Sequence, residues 1–414
     1  MIKILILGGG FGGIRCALDC AKKFKGEASI TIIDRNSYHT FTPALYEIAS
    51  ANQPTDDPFA LKLRKAVSIP YQDIFENKNI NYIQAEIASV NVESSEVALI
   101  GGKVLNYDYL VVSLGSQAYD FGIPGVVEYA YPFKTVNDAV ALHSKLEKTF
   151  LEASVGQRSL PIKFLIIGAG FTGIELASEL AIYAKKIGPK YGLNGRYFSS
   201  VLFESSSCIL PATKDSERKI IGSRLTQIGV VLMCNSVVES VSSESVKLSN
   251  GQVVSGSAVI WTAGVKPNIL ASGINGLIFN NAGKITVGGT MMCKNFKNIF
   301  ALGDCAEFID PVTQKSVPGL AYVAKEQGEI VAKNIYRSVF NKKLLDYVPN
   351  YDYWVAPAGG KFVVARLGKN KTLYGVSGWL VRALIDFKYF FSILSLQKSI
   401  KLFYRDLILF SKND

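Results

Sequence analysis

Histidine is almost missing from this chain of 414 residues: only His39 and His143 occur. Two imidazoles this far apart argue against a zinc site or a histidine-based nucleophilic triad. Cysteine is sparse as well. Cys16, Cys20, Cys208, Cys234, Cys293 and Cys305 are scattered over too great a length to form a disulfide framework, which points to a reducing compartment. Cys16 and Cys20 would lie one turn apart on a helix, a spacing that suits packing better than thiol chemistry.

Long apolar runs are lacking too. A helical membrane span needs about 20 apolar residues, and each charge at its centre costs about 2.5–3.5 kcal/mol. The greasy stretch FKYFFSILSLQ near the end is hemmed in by Asp386, Lys388, Lys398, Lys401, Arg405 and Asp406, so no span is expected. The opening MIKILILGGG runs straight into a strand and a glycine turn, leaving no room for a secretory signal. Acid is short relative to base, 34 residues against 45, for a net charge of +11. That excess asks for an anionic partner: nucleic acid, the cytoplasmic leaflet of a membrane, or a phosphorylated cofactor. The length suits two or three domains, and a hydrophobic half of the chain marks it as globular.

The positive signals begin at the first glycines. A strand over residues 3–7 leads into Gly8, Gly9, Gly10, Phe11, Gly12 and Gly13, then into a helix-forming run. In this G-x-G-x-x-G pattern Gly8 permits a tight turn, Gly10 lets the backbone approach a pyrophosphate, and Gly13 lets helix pack on strand. The bare N–H groups of the helix start hold phosphate. A second strand ends at Asp34, whose carboxylate suits ribose hydroxyls. The same grammar recurs at Gly168, Ala169, Gly170, Phe171, Thr172 and Gly173, with Glu204 at the end of its second strand. Two fingerprints in full context predict two Rossmann-like units in an α/β chain that binds two dinucleotides or repeats one binding domain; no nucleic-acid partner is expected. A carboxylate at Glu204 would repel a 2′-phosphate, so NADH is favoured over NADPH. Residues 183–199 read as an inserted helix end and loop.

Strand exits organise the rest. Apolar strands run into Gly115, into Ala263 and Gly264, and into Gly303 and Asp304. Asp304 could reach a ribityl or phosphate hydroxyl, or simply cap the helix that follows.

With these motifs together, the chain resembles the type II NADH dehydrogenases, single-chain NADH:quinone oxidoreductases of the two-dinucleotide-binding flavoprotein superfamily. The resemblance rests on GGGFGG (8–13), DRNSYHTFTPALYEIAS (34–50), DYLVVSLGS (108–116), GIPGV (122–126), GAGFTGIELASEL (168–180), WTAGVKPN (261–268) and NIFALGDCA (298–306). It implies a discontinuous FAD domain (1–128 and 268–345), an NAD domain (129–267) and a C-terminal segment (346–414) with amphipathic membrane-anchoring helices. Non-covalent FAD would be held by Gly8, Gly10, Phe11, Gly12, Gly13, Asp34, Arg35, Gly115, Gly303, Asp304, Ala321 and Tyr322. NADH would be held by Gly168, Gly170, Phe171, Gly173, Glu204, Ala263 and Gly264. Hydride would pass from NADH to the flavin and two electrons on to a membrane quinone, without proton pumping. Glu175 matches the family's acidic residue beside the isoalloxazine and is the candidate for proton handling; the other reading is an acid that favours the helix macrodipole.

Two absences sharpen this. The region 42–51 lacks the cysteine pair of the disulfide reductases. A sulfide:quinone oxidoreductase would need cysteines flanking the far face of the flavin, but Cys305 lies in a GDCA turn that the dehydrogenases share, and the flanks of Cys208 and Cys293, SSSCILP and MMCKN, do not resemble that family's. One departure stands out: Tyr322 and Glu326 occupy a stretch where the family usually carries glutamines, at the surface where a quinone head group would dock.

In the tail, Leu380, Leu384, Phe387, Phe391 and Leu394 follow helical steps, as do Ile400, Phe403, Leu407 and Phe410, while Arg382, Lys398, Lys401 and Arg405 fall elsewhere. Two amphipathic helices, or one bent near 395–399, would lie flat in an interface, with Trp379, Tyr389 and Tyr404 beside the basic residues. A peripheral protein on the cytoplasmic face of the cell membrane is the expectation; packing on the parent domain or on a second subunit, as in a homodimer, is the alternative. Rival functions are a soluble NADH-dependent flavin reductase serving a small electron carrier, and a non-enzymatic redox sensor.

Overall fold

The computed structural model describes residues 1–52, 58–193 and 197–413. Its first parallel sheet has the spatial order Ile299–Ala301, Tyr109–Val112, Ile2–Leu7, Ala28–Asp34, Asn81–Gln84. The second repeats it: Tyr131–Pro132, Ala258–Trp261, Ile162–Ile167, Phe198–Phe203, Val230–Met233. Both central strands, IKILIL and IKFLII, are near-continuous apolar runs because helices cover both faces of a parallel sheet. Each unit also carries an antiparallel three-stranded meander, 87–106 in the first and 238–255 in the second.

Chain crosses between the units where Ser116–Ala118 pairs antiparallel with Val265–Pro267. The helix Ala321–Val339 returns to the first unit and crosses the glycine-turn helix Phe11–Phe24 at close range. A Cβ on Gly328 would stand 2.4 Å from the Gly12 carbonyl, and one on Gly12 would stand 2.7 Å from that of Ala324. The backbones touch there because neither glycine has a side chain.

Residues 346–414 are not helices alone. Strands Tyr353–Pro357, Val363–Leu367 and Thr372–Gly375 form a three-stranded antiparallel sheet, and the helices Val376–Ile393 and Leu396–Asn413 follow. Two helices were expected here, with a break near the one found. The first keeps most of its expected outer stripe, although Leu394 is buried, and the second is turned about its axis from the expectation. The Val376–Ile393 helix buries Arg382 and Phe390 and exposes Leu380, Leu384 and Phe391. Its successor buries Asp406 and Asn413 while Leu396, Ile400, Tyr404 and Ile408, at strict four-residue steps, face outward. Phe403, Leu407 and Phe410, expected on the apolar outer face with Ile400, turn partly inward instead. Among the described residues no helix is long and apolar enough to cross a membrane.

Candidate functional site

The two glycine turns are built from the same bonds. Gly8 and Gly168 have φ of 100° and 102°, in the region only glycine enters freely. A Cβ on Gly13 would sit 2.0 Å from the Gly8 carbonyl, and one on Gly173 would sit 1.9 Å from that of Gly168. At Gly10 and Gly170, by contrast, a Cβ would meet nothing within 4 Å, so both positions face open space. Both helices start without a side-chain cap and without an acid in the first turn. Their N–H groups are thus left for a phosphate-bearing ligand. An open cradle lined by backbone donors fits a dinucleotide in both units.

The acidic residues also match. The Asp34 carboxylate accepts from the Gly9 N–H at 2.7 Å and from the Asn36 N–H at 2.8 Å. Glu204 accepts from Ala169 and Ser206, each at 2.9 Å. Each carboxylate therefore fixes the turn it serves. Two residues that the motif reading overlooked complete the pattern. The Ser113 hydroxyl donates to the Leu7 and Gly8 carbonyls at 2.8 and 2.9 Å, and the Thr262 hydroxyl to those of Ile167 and Gly168 at 2.7 and 3.0 Å. Their signal in sequence is a hydroxyl two residues before Gly115 and Gly264.

Around the first turn, His39 Nδ1 lies 3.2 Å from the Gly9 carbonyl, which also accepts from the Tyr71 hydroxyl at 2.7 Å. Phe11 packs edge-on against His39, with ring centroids 4.7 Å apart. Arg35 is exposed beside Asp34. Asp304 lies in a short 3-10 turn and accepts from the Ser116 hydroxyl at 2.5 Å, with Lys134 Nζ at 3.4 Å. The Gly303 N–H donates to Gln327 Oε1 at 2.7 Å. Ala321 and Tyr322 open the helix that follows, again without a side-chain cap. Burial, then the nearby Glu326, pushes the Tyr322 hydroxyl up to about 12. Glu326 itself accepts from the Tyr347 hydroxyl at 3.3 Å, and burial raises its carboxyl above the usual range.

Glu175 stands in the second turn of the Phe171–Ile187 helix. Its side chain is half-buried, and desolvation pushes its pKa up to about 8; Arg382 opposes that rise and Asp386 adds to it. Arg382 comes from the tail helix. It donates to the Tyr46 hydroxyl and to the Pro43 carbonyl at 3.3 Å, and its Nε lies 3.5 Å from Asp386. The tail thus brings a cation to the carboxyl at the head of the second unit. Arg382 falls off the outer apolar stripe because it serves this inner contact. Tyr389, expected at an interface, also turns inward, and its hydroxyl lies 2.8 Å from His39 Nε2. Trp379 is half-buried with Lys361 over its ring at 5.6 Å, and Tyr404 alone of the three aromatics stands well exposed. Ala263 and Gly264 lie beside Trp261, whose indole donates to the Tyr119 carbonyl at 2.8 Å.

The cysteines described form no disulfide. Cys305 is buried, its thiol within 3.3 Å of the Leu302 carbonyl, and burial pushes it up to about 11, so it stays an inert thiol at neutral pH. Among the described residues no group of His, Cys, Asp or Glu is placed to hold a metal ion. Part of the inserted loop expected at 183–199 lies outside the described residues.

Two open glycine cradles, each braced by its own carboxylate and hydroxyl, define a two-dinucleotide oxidoreductase. The profile of the pyridine nucleotide-disulphide oxidoreductases matches residues 2–328, and the chain belongs to that family. A type II NADH:quinone oxidoreductase of Staphylococcus aureus is 28% identical over 348 residues, covering 81% of this chain and 82% of that protein. Among solved structures, NDH2 of Plasmodium falciparum in complex with NADH superposes with a TM-score of 0.83 at 21% identity, over 98% of this chain and 97% of that one. The sulfide:quinone oxidoreductase of Aquifex aeolicus gives 0.74 at 18% identity, over 100% and 92%. These two likenesses are of fold.

Proposed function

We propose that the chain is a type II NADH:quinone oxidoreductase: with non-covalent FAD it oxidises NADH and passes two electrons to a membrane quinone without proton pumping. The observation that carries this reading is the outward apolar stripe of the tail. Its two helices keep Arg382, Asp386 and Asp406 against the protein and hold Leu380, Leu384, Phe391, Leu396, Ile400 and Ile408 outward. A stripe of this kind beside basic residues binds a lipid surface, where a quinone is dissolved. The similarity to the Staphylococcus aureus enzyme supports the same reading.

On this reading the FAD domain spans 1–128 and 268–345, the NAD domain 129–267, and the C-terminal segment 346–414. Gly8, Gly10, Phe11, Gly12, Gly13, Asp34 and Arg35 hold the adenosine and pyrophosphate end of FAD; Gly115, Gly303, Asp304, Ala321 and Tyr322 lie toward its other end. Gly168, Gly170, Phe171, Gly173, Glu204, Ala263 and Gly264 hold NADH. Bound FAD supplies the redox chemistry by taking hydride and releasing two electrons. This chain's own residues orient the reactants and manage protons. Burial holds the Glu175 carboxyl protonated at neutral pH against the opposing pull of Arg382, so it can donate that proton from a carboxyl oxygen. Tyr322 gives the acceptor side a phenol that also stays protonated. The protein sits peripherally on the cytoplasmic face.

Purified, lipid-supplemented protein should oxidise NADH in a quinone-dependent way. The reading fails if NADH bleaches the flavin and no quinone reoxidises it faster than oxygen does.

A further inference from the structure

A dinucleotide lies across the carboxyl ends of the strands, with its pyrophosphate on the turn after the central strand and its adenosine ribose on the acid that follows the next strand. In the second unit these are the Gly168 turn after Ile162–Ile167 and Glu204 after Phe198–Phe203. The nicotinamide half then runs to the other side of the central strand, over the exit of Ala258–Trp261. That exit, Thr262 to Gly264, packs on the turn itself: a Cβ on Gly168 would stand 2.8 Å from the Ala263 Cα.

The loop that leaves the first unit lays an aromatic ring on this exit. A Cβ on Gly264 would stand 2.3 Å from Phe121 Cε2 and 2.5 Å from its Cζ, so the edge of the ring rests on the bare glycine. The rest of the side chain is open, and Phe121 is 55% exposed. Its place follows from the ribbon between the units. Ser116–Ala118 pairs with Val265–Pro267, and the Asn268 N–H donates to the Gly115 carbonyl at 3.0 Å, so the ribbon runs from the strand exit of the first unit to that of the second. Phe121 stands just past its second end, beside the crevice where the two ligands must bring their reactive halves together.

A lone exposed aromatic is ordinary on a protein surface. Phe121 differs in being held there. Its φ of 53° lies in the left-handed region, which a bulky residue seldom enters. The loop is fastened on both sides of it: the Tyr119 N–H donates to the Gly264 carbonyl at 3.3 Å, the Tyr119 carbonyl accepts from the Trp261 indole, and the Pro124 carbonyl accepts from the Val241 N–H at 2.9 Å. The Tyr119 ring packs 4.5 Å from that of Phe121, with Lys266 Nζ 5.1 Å over Tyr119. Backbone strain of this kind persists only where the surroundings over-determine it, and it gathers where ligands are clamped.

We propose that Phe121 is part of the NADH site, its open ring packing against the nicotinamide half of the dinucleotide where that half crosses Gly264. The inference rests on the assignment of the second cradle to NADH. Gly264 lets the ring lie close to the strand exit, and the left-handed backbone keeps the ring out of the core and available to the ligand. An aromatic face suits the apolar faces of the nicotinamide ring and its ribose. Because the ring comes from the first unit, it ties the reactive half of NADH to the unit whose cradle is assigned to FAD. The adenosine half, at Glu204, is out of its reach.

The experiment uses the full-length flavin-loaded protein and the variants Phe121→Ala, Phe121→Tyr and Phe121→Leu. Affinities for NAD+, which carries no hydride to transfer, and for AMP, the adenosine half alone, are read by saturation transfer in NMR titrations. Phe121→Ala should weaken NAD+ binding by about tenfold, with AMP binding and flavin content unchanged. Phe121→Tyr should keep the affinity of the parent. Phe121→Leu, which covers Gly264 without a flat ring, should not. Unchanged NAD+ affinity in Phe121→Ala would overturn the inference. So would equal weakening of NAD+ and AMP, the mark of a disturbed second unit, or full rescue by Leu. If the unaltered protein binds no NAD+, the assignment of the second cradle fails, and the inference falls with it; NAD+ binding that survives Phe121→Ala sinks the inference alone.

Discussion

The hydroxyl of Tyr389 lies 2.8 Å from His39 Nε2, and these residues are 350 positions apart in sequence. Since the other ring nitrogen of His39 lies 3.2 Å from the Gly9 carbonyl, the contact ties the Val376–Ile393 helix to the first glycine turn. Tyr389→Phe removes one hydrogen bond worth about 1 kcal/mol, which is about fivefold in affinity. FAD retention, followed as flavin fluorescence released on dilution, should weaken by that factor. Unchanged retention would show that the turn does not depend on the tail.

His39 also sets an acid limit. Burial lowers its pKa to about 4, partly opposed by the Gly9 contact. An unfolded imidazole takes its proton near pH 6.5, so His39 contributes stability that is present above about pH 6.5 and lost as pH falls through about 4. The contribution is at most about 3 kcal/mol. Glu175, Asp386 and Asp406 act with the opposite sign: their raised values give stability that is full below about pH 4 and drains as pH rises through their folded values of about 8, 6 and 7. The variant His39→Gln should therefore lose less melting temperature between pH 6.5 and 4 than the parent; parallel curves would contradict the assignment.

Glu204→Arg should erase the preference for NADH over NADPH. It replaces a repelling carboxylate by a phosphate-binding cation and removes the acceptor for the Ala169 and Ser206 N–H groups. Stopped-flow reduction by each nucleotide reads the change directly, with Glu204→Gln as control for the lost bonds. An unaltered ratio would place the ribose elsewhere.

Gly173→Ala puts a methyl 1.9 Å from the Gly168 carbonyl. Such a contact forces the helix off the strand at a cost of about 1–3 kcal/mol. The protein should retain FAD, because the first turn is untouched, and should lose reduction by NADH. Loss of flavin together with NADH reduction would show that the two units do not behave independently.

Replacing both Leu380 and Leu384 with Ser should weaken attachment to anionic vesicles by about 30-fold, taking about 1 kcal/mol per side chain. Turnover with a water-soluble acceptor should persist, since both side chains point away from the site. Point substitutions serve better than deletion here: Arg15 donates to the Ser392 carbonyl at 3.0 Å and Lys78 to that of Ile393 at 2.9 Å, so removal of the tail would strip contacts from the first unit.

The cradle was legible because its geometry admits one residue type. Gly8, Gly13, Gly168 and Gly173 each occupy a place where a Cβ would collide, and the spacing of such places is fixed by turn and helix. Ser113 and Thr262 escaped notice because a hydroxyl two residues before a glycine is too common a pattern to show by itself that it bonds a turn on a neighbouring strand. The facing of the last helix escaped for a different reason. Helical period shows that a stripe exists, and only partners far away in sequence, such as Glu47 for Asn413, decide which side faces the protein. The sheet before them had turn signals at Gly359-Gly360 and Gly368-Lys369-Asn370 that mark hairpins.

The duplicated brace has a practical use. Ser113→Ala and Thr262→Val delete the same pair of hydrogen bonds in two cradles of one polypeptide, under identical solvent, temperature and concentration. Each variant is therefore the matched control of the other. The difference between their effects on the two nucleotides would isolate what each ligand asks of an otherwise common frame, a comparison that usually needs two separate proteins.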